Sequence, residues 1–166
     1  MNVLTPLDST IGPVAVTVNN GTTTTAAYTA DLQAVSPGFL RFGDFIHIVA
    51  QHADASFVGP VSMSVPGYTF TPAVPGEVIA LYGDGFGLPV TTLAAGSMYQ
   101  SGALPEYPQI TIGGVAATVQ YAAVISPGLY QINVLVPTVP SSGDNQVIAT
   151  YAGVSSPAGA MIPVSQ

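Results

Sequence analysis

The side chains able to do acid–base or metal chemistry in this chain are few. His47 and His52 stand in a short stretch that also holds Asp44 and Asp54. His47, His52 and Asp54 are of the types that hold a divalent metal, which would need further ligands in tetrahedral or octahedral array. The odd spacing of the two histidines puts them on opposite faces of a straight strand, so local hydrogen bonding is the expectation for both. Glu77 and Glu106 are the only glutamates, and either one beside Asp44 or Asp84 would make the paired carboxylates of a glycoside hydrolase. Nothing in the spacing joins any such pair. Asp44 and Asp84 read as solvated turn residues before they read as weak calcium ligands.

Gly83-Asp84-Gly85-Phe86-Gly87 has the alternating glycines of a phosphate-cradling loop. That chemistry needs a helix N-terminus behind the loop, and Leu88-Pro89-Val90 follows instead. No Gly-x-Ser-x-Gly elbow is present for serine nucleophilic catalysis. Asn20-Gly21-Thr22 meets the glycosylation pattern, but it also reads as a hairpin turn, because Asn-Gly accepts positive φ. The chain is therefore read as non-enzymatic, with no catalytic, cofactor-binding or metal residue assigned and no cofactor expected.

Composition narrows the partners. Eight Asp and Glu face one Lys or Arg, Arg41, for a net charge of −7, and charged residues make up 5% of the 166 where about 25% is ordinary. Nucleic acid binding needs clustered cations, and an anionic membrane surface does too; neither is an expected partner. No apolar run approaches the length that crosses a bilayer, so membrane insertion is not expected. Cysteine is absent, which excludes disulfides and thiolate sites. The scarcity of cations and the single tryptic site suit an exposed life outside the cell. No signal-peptide pattern opens the sequence, so the expectation is an export signal already removed or a chain cut from a longer one.

The elements that would position these residues are strands. The sequence has 18 Gly and 15 Pro spread throughout, a spacing that helices do not tolerate. Thr22–Val35 lacks a helical apolar stripe, and one helical turn near Thr92–Ala95 is the most that is expected. Alternation predicts a half-buried strand through Val14, Val16 and Val18, then the turn Asn19-Asn20-Gly21. Further strands are predicted at 2–6, Tyr28–Leu32, Phe39–Phe42, Phe45–Ala50, Tyr68–Thr71, Val78–Tyr82, Gln109–Ile112, Ala117–Ala122, Leu129–Val136, Gln146–Tyr151 and Met161–Val164. Gly113-Gly114 suits a type I′ hairpin and Pro127-Gly128 a type II turn. Tyr82, Tyr121 and Tyr130 are expected half-buried with wet hydroxyls. The fold class expected is all-β, an immunoglobulin-like β-sandwich with an N-terminal partial β domain.

An internal echo sets the domain expectation. Asn2-Val3-Leu4-Thr5-Pro6 matches Asn133-Val134-Leu135-Val136-Pro137 at four of five positions, and the same offset aligns Gly12 with Gly143 and Val16 with Val147. Val35-Ser36-Pro37-Gly38-Phe39 likewise echoes Ile125-Ser126-Pro127-Gly128-Leu129. Residues 1–66 are read as a partial sandwich or appended β segment and 67–166 as a complete domain. The first part would then carry strand edges that lack partners.

Three motifs carry a resemblance. They are Pro75-Gly76-Glu77-Val78-Ile79-Ala80-Leu81-Tyr82-Gly83-Asp84-Gly85-Phe86-Gly87, Ile110-Thr111-Ile112-Gly113-Gly114-Val115-Ala116-Ala117-Thr118-Val119 and Ser126-Pro127-Gly128-Leu129-Tyr130-Gln131-Ile132-Asn133-Val134. With Gly153–Gly159, they resemble the repeated C-terminal domain of large exported proteins of Solibacter and related Acidobacteria, and more widely the IPT/TIG class of immunoglobulin-like domains. The resemblance implies an extracellular or cell-surface spacer or binding module, and it carries over no catalytic residue. The function expected is a structural or assembly module that self-associates through edge strands. The alternative is an adhesion module for carbohydrate or protein, with Tyr99 and Tyr107 as exposed aromatics. The expected partners are other protein subunits or neighbouring domains of a longer chain, and glycans under the alternative.

Overall fold

The computed structural model describes residues 10–165. The strand predicted at 2–6, and with it the first part of the internal echo, lies outside the described residues.

The described chain is all-β. In order it forms β1 Gly12–Val16, β2 Tyr28–Leu32, β3 Gly38–Phe39, β4 Ala50–Gln51, β5 Phe57–Val58, β6 Phe70–Thr71, β7 Val78–Asp84, β8 Gly102–Ala103, β9 Gln109–Ile112, β10 Val115–Ser126, β11 Leu129–Leu135, β12 Gly143–Tyr151, β13 Val154–Ser155 and β14 Met161–Val164. The one helical turn, of 3-10 type, is Val61–Met63 rather than 92–95. Among the described residues no helix is long and apolar enough to cross a membrane.

Two sheets result. β1 and β2 form an antiparallel ribbon by themselves. The remaining strands join a 12-stranded mixed sheet whose main path runs β13-β12-β9-β10-β11-β7-β4-β5-β6. Strict period-2 alternation explains why the long strands bury one face. Ile79 and Leu81 of β7 point inward with Tyr130, Ile132 and Val134 of β11, and Ile110 and Ile112 of β9 join Val147 and Ala149 of β12 and Ile162 and Val164 of β14 in the same core. Ile48, Ala50 and Val58, from early in the chain, lie in that core too.

β10 serves two neighbours in turn. It pairs β9 through Val115–Ala117 and β11 from Thr118 onward, with a register shift between Val119 and Tyr121. Such a bulge bends a strand and raises its twist, which lets one segment lead from the first ladder to the second. The tight turn before β10 is Gly113-Gly114, both at positive φ (58° and 80°), as the type I′ expectation requires. At Gly113 a Cβ would come within 2.4 Å of Asn145 Oδ1, so any larger residue would also have to push the Asn145 side chain aside.

Segment 38–51 departs from the two strands predicted for it. β3 starts along β7 (Gly38 opposite Asp84, Phe39 opposite Gly83), and Leu40 N–H donates to Tyr82 O at 3.0 Å. The chain then leaves the sheet for residues 41–48 and returns to β7 at Ala50 opposite Leu81. The excursion closes on itself: Phe42 N–H donates to His47 O at 2.9 Å, and Val49 N–H to Leu40 O at 2.8 Å. Phe45, read as the start of a strong strand, sits at φ 59° and is 78% exposed. An apolar run at a turn misled the period-2 reading. The excursion's far limb bonds to β14, with Met161 N–H donating to Ile46 O and Ile48 N–H to Met161 O, each at 3.0 Å.

Candidate functional site

His47 is the most enclosed ionisable group among the described residues that carries partners on both sides, at 7% exposed. It sits on the returning limb of the excursion. Its Nδ1 is 2.5 Å from Asp44 Oδ2, and its Nε2 is 3.1 Å from Asp144 Oδ1 at the start of β12. Asp44 is fixed as a turn acceptor: the Ile46 and His47 backbone N–H groups donate to its Oδ1 at 2.9 and 3.1 Å. A neutral imidazole carries one N–H, whereas ionised carboxylates only accept. Two carboxylates on opposite ring nitrogens therefore describe an imidazolium. Burial pushes the His47 pKa down, but the hydrogen bonds and charges of Asp44 and Asp144 outweigh it and hold the pKa above its ordinary value. Burial likewise opposes ionisation of Asp44, yet the bond from His47, the two backbone donors and the His47 charge leave its carboxyl below the usual range. Arg41 completes the clasp, donating from Nη1 to Phe45 O (3.0 Å) and from Nη2 to Ala158 O (3.3 Å). The arrangement ties the excursion to β12 and to the segment ahead of β14. It is a structural clasp, because both ring nitrogens are already occupied.

His52 is separate from it. Its Nδ1 is 3.0 Å from Glu77 Oε2, and its Nε2 is 3.0 Å from Thr71 Oγ1. Glu77 Oε1 accepts from Val74 N–H at 2.6 Å, bracing the turn into β7. The two histidines thus serve different partners, although His47 lies on the excursion and not on the straight strand that the opposite-face reading assumed, and Asp54 bonds to Ser56 instead of to either. Among the described residues no group of three or more His, Asp or Glu is arranged to hold a metal. Glu106 is exposed on the loop before β9. Asp84 lies at the end of β7 near Gly38, and partial burial pushes its carboxyl above the usual range against a weaker backbone hydrogen bond.

Beside His52 runs a shallow open groove of about 300 Å³ along the outer face of β7 and β11, walled by the β4–β5 turn. Gln51, Tyr82, Gln131 and Asn133, with His52 at its edge, supply its polar groups. Tyr82 O–H donates to Gln51 Oε1 and Gln131 Nε2 to Asn133 Oδ1, both at 2.8 Å. Sequence reading did not assemble this set, because its members come from three strands. Their placement on the outward phase of β7 and β11 was the signal available.

The glycine-rich stretch after β7 is packing, not a cradle. Gly85 sits at φ 73°, Ser36 N–H donates to its carbonyl at 2.8 Å, and a Cβ there would fall 1.9 Å from Ser36 O. Tyr130 is buried rather than half-wet; its hydroxyl donates to Gly87 O, and its ring meets Phe86 at 5.5 Å between centroids. Tyr82 is half-buried as expected, and Tyr121 is 39% exposed. Tyr99 and Tyr107 are exposed, at 95% and 55%.

The β1–β2 ribbon is the other candidate surface. Gly12, Val14 and Val16 stand opposite Leu32, Ala30 and Tyr28. Residues directly opposite share a face, so Val14, Val16, Tyr28, Ala30 and Leu32 line one side. At one end that side is open to solvent, with Tyr28 73% and Val16 46% exposed, while Val14, Ala30 and Leu32 are partly buried. The turn is built by Asn side chains, with Gly21 N–H donating to Asn19 Oδ1 (2.7 Å) and Thr23 N–H to Asn20 Oδ1 (2.8 Å). This accounts for Asn20-Gly21-Thr22 as turn chemistry. Among the described residues no third strand joins the ribbon. Comparison with protein-family models, curated proteins and solved structures returns no match.

Proposed function

We propose that this chain is a non-catalytic structural module of an extracellular or cell-surface protein, an immunoglobulin-like sandwich that assembles with other subunits through its β1–β2 ribbon. The ribbon carries the reading. A two-stranded ribbon is at best marginally stable in water by itself, and this one exposes Val16 and Tyr28 at one end of its apolar side. Added strands or a second apolar face would cover it, and unpaired strand edges recruit such partners through backbone hydrogen bonds. The immunoglobulin-like reading draws support from the pairing scheme. An A-B-E-D sheet opposite a C-F-G sheet corresponds to segment 38–51, β7, β11 and the second half of β10 on one side, and to β9, β12 and β14 on the other. The poverty of cations supports the exported setting.

The test is sedimentation velocity of the full chain from micromolar to millimolar concentration. Reversible association that Val16→Asp and Tyr28→Asp abolish supports the reading. A strict monomer throughout overturns it. The groove of Gln51, Tyr82, Gln131 and Asn133 favours a second reading, an adhesion module for neutral glycans, because amides and a phenol match sugar hydroxyls without charge. A glycan array checks it, and a blank array contradicts it.

A further inference from the structure

Resting on the assembly reading for its consequence, we infer that Asn20 is a self-modifying site. Its side chain closes on the Gly21 nitrogen, and the isoaspartate that follows dismantles the β1–β2 turn and switches the ribbon's assembly off.

The chemistry needs only water. Asn20 Cγ and the Gly21 nitrogen belong to neighbouring residues, so attack is intramolecular and favoured by proximity. The Gly21 N–H proton passes to solvent as the N–Cγ bond forms. The Cγ–Nδ2 bond then breaks, and Nδ2 takes a proton from water and leaves as ammonia. Water adds to either carbonyl of the resulting succinimide. Cleavage of the new N–Cγ bond gives aspartate. Cleavage of the old peptide bond gives isoaspartate, whose main chain runs through the former side chain. Water enters and ammonia leaves, with no oxidant or cofactor consumed.

Asn20 is the only asparagine followed by glycine, which places no Cβ beside the attacking nitrogen. Asn2, outside the described residues, precedes Val3, and Asn19, Asn133 and Asn145 precede Asn20, Val134 and Gln146. Asn133 lies within β11, laddered to β7 and β10. Asn145 is 4% exposed, and its Nδ2 donates to Ser141 O and Gly143 O at 3.1 and 2.7 Å. Asp84-Gly85 could close in the same way, but Gly85 is pinned by the bond from Ser36 N–H to its carbonyl. Asn20 and Gly21 are exposed at the tip of the ribbon, with Gly21 at φ 91°.

The turn gates the reaction. Gly21 N–H donates to Asn19 Oδ1 at 2.7 Å, and Asn20 Oδ1 accepts from Thr22 N–H and Thr23 N–H at 3.0 and 2.8 Å. Both reacting groups are occupied while the turn is closed, so ring closure waits on its opening. A two-stranded ribbon opens readily. The two products then differ. Aspartate keeps a side-chain acceptor for Thr22 and Thr23. Isoaspartate adds a carbon to the main chain between Asn19 and Thr24, which pair across the turn, and so breaks the loop that sets Val16 opposite Tyr28.

The test incubates the full chain at neutral and mildly alkaline pH and follows each asparagine by mass spectrometry after proteolysis. Trypsin releases residues 1–41, with Asn20 inside, by cutting after Arg41. Conversion to isoaspartate and aspartate is expected about tenfold faster at Asn20 than at any other described asparagine, and about tenfold slower in Gly21→Ala. Asn19→Ala frees the Gly21 N–H and is expected to speed conversion about threefold, and urea should speed it further. Even conversion across the asparagines, or Asn20 intact in the folded chain when the urea-unfolded chain has converted, overturns the site. An unchanged or slower rate in Asn19→Ala overturns the gating. Sedimentation velocity reads the consequence: the purified isoaspartate form is expected to be monomeric, and Asn20→Asp to associate as the parent does. An isoaspartate form that associates like the parent overturns the switch while the ribbon reading stands. If the parent is itself a monomer at all concentrations, the assembly reading and the switch fall together, and the mass readout still decides the site.

Discussion

β1 and the opening of β12 begin alike and end in different circumstances. The offset that aligns Gly12 with Gly143 and Val16 with Val147 lays one strand on the start of the other, and both strands open on a glycine at positive φ, 117° and 96°. β12 is held from both sides, by β9 and by β14, and its Val147 is fully buried. β1 has β2 on one side, and the equivalent Val16 is 46% exposed. Strands that share their opening glycine and fifth-place valine, but not the three residues between (Pro13-Val14-Ala15 against Asp144-Asn145-Gln146), thus end buried where neighbours exist and more exposed where none of the described residues supplies them. Strand propensity is set by what covers the strand more than by the strand itself.

Substitution should separate the two regions sharply. In the body, Leu81→Ala removes a fully buried side chain from the middle of β7 and is expected to cost about 2–5 kcal/mol in denaturant unfolding. Next comes Gly85→Ala, where positive φ and a Cβ falling on Ser36 O predict a loss of about 1–3 kcal/mol, read as a lower denaturation midpoint with unchanged slope. A loss under about 0.5 kcal/mol at either site would mean that the body is far looser than its packing implies.

The clasp predicts a smaller effect, and one whose sign depends on pH. His47 has a raised folded pKa, so its contribution is whole below about pH 6.5, the unfolded value, and is lost as pH rises through the folded one. Asp44 has a lowered pKa, so its contribution is present above about pH 3.9 and is lost as pH falls through its folded value. The clasp is therefore strongest from about pH 4 to 6.5. Melting curves across pH should show the body losing stability on the alkaline side, and His47→Gln should remove that slope. Asp144 should part first, since its side chain is 51% exposed against 31% for Asp44. A His47 resonance titrating below 6.5 by NMR would contradict this. In the ribbon, Tyr28→Ala should shift monomer stability by less than about 0.5 kcal/mol while weakening association. A large monomer loss would mean that the ribbon packs on the body.

Most of the strand frame was legible because it rests on period-2 alternation over long segments. Gln109–Ile112, Tyr28–Leu32 and Met161–Val164 stand as the pattern placed them, and β7 and β11 nearly so. The excursion at 41–48 was not legible. Its apolar residues, Phe42, Phe45, Ile46 and Ile48, imitate a strand, and a long-range pairing with β14 decides their path. The echo of 35–39 in 125–129 also misleads at the level of backbone: Gly128 takes the positive φ of a turn, at 72°, while Gly38 is a strand residue opposite Asp84. The clasp itself was half visible. Asp44 and His47 are near in sequence, but Asp144 reaches them only through the fold. The exposure of Val16 and Tyr28 depends on which strands cover the ribbon; the echo of β1 in β12 pointed to strand edges without partners, and among the described residues no third strand joins it.

The most direct test of the central claim is sedimentation velocity of the full chain beside its Tyr28→Asp variant, over the same range up to millimolar. The account predicts a reversible, concentration-dependent shift from monomer to a larger species for the chain, and a monomer for the variant. A monomer in both, or the same association in both, would contradict the assignment of the ribbon as the assembly surface.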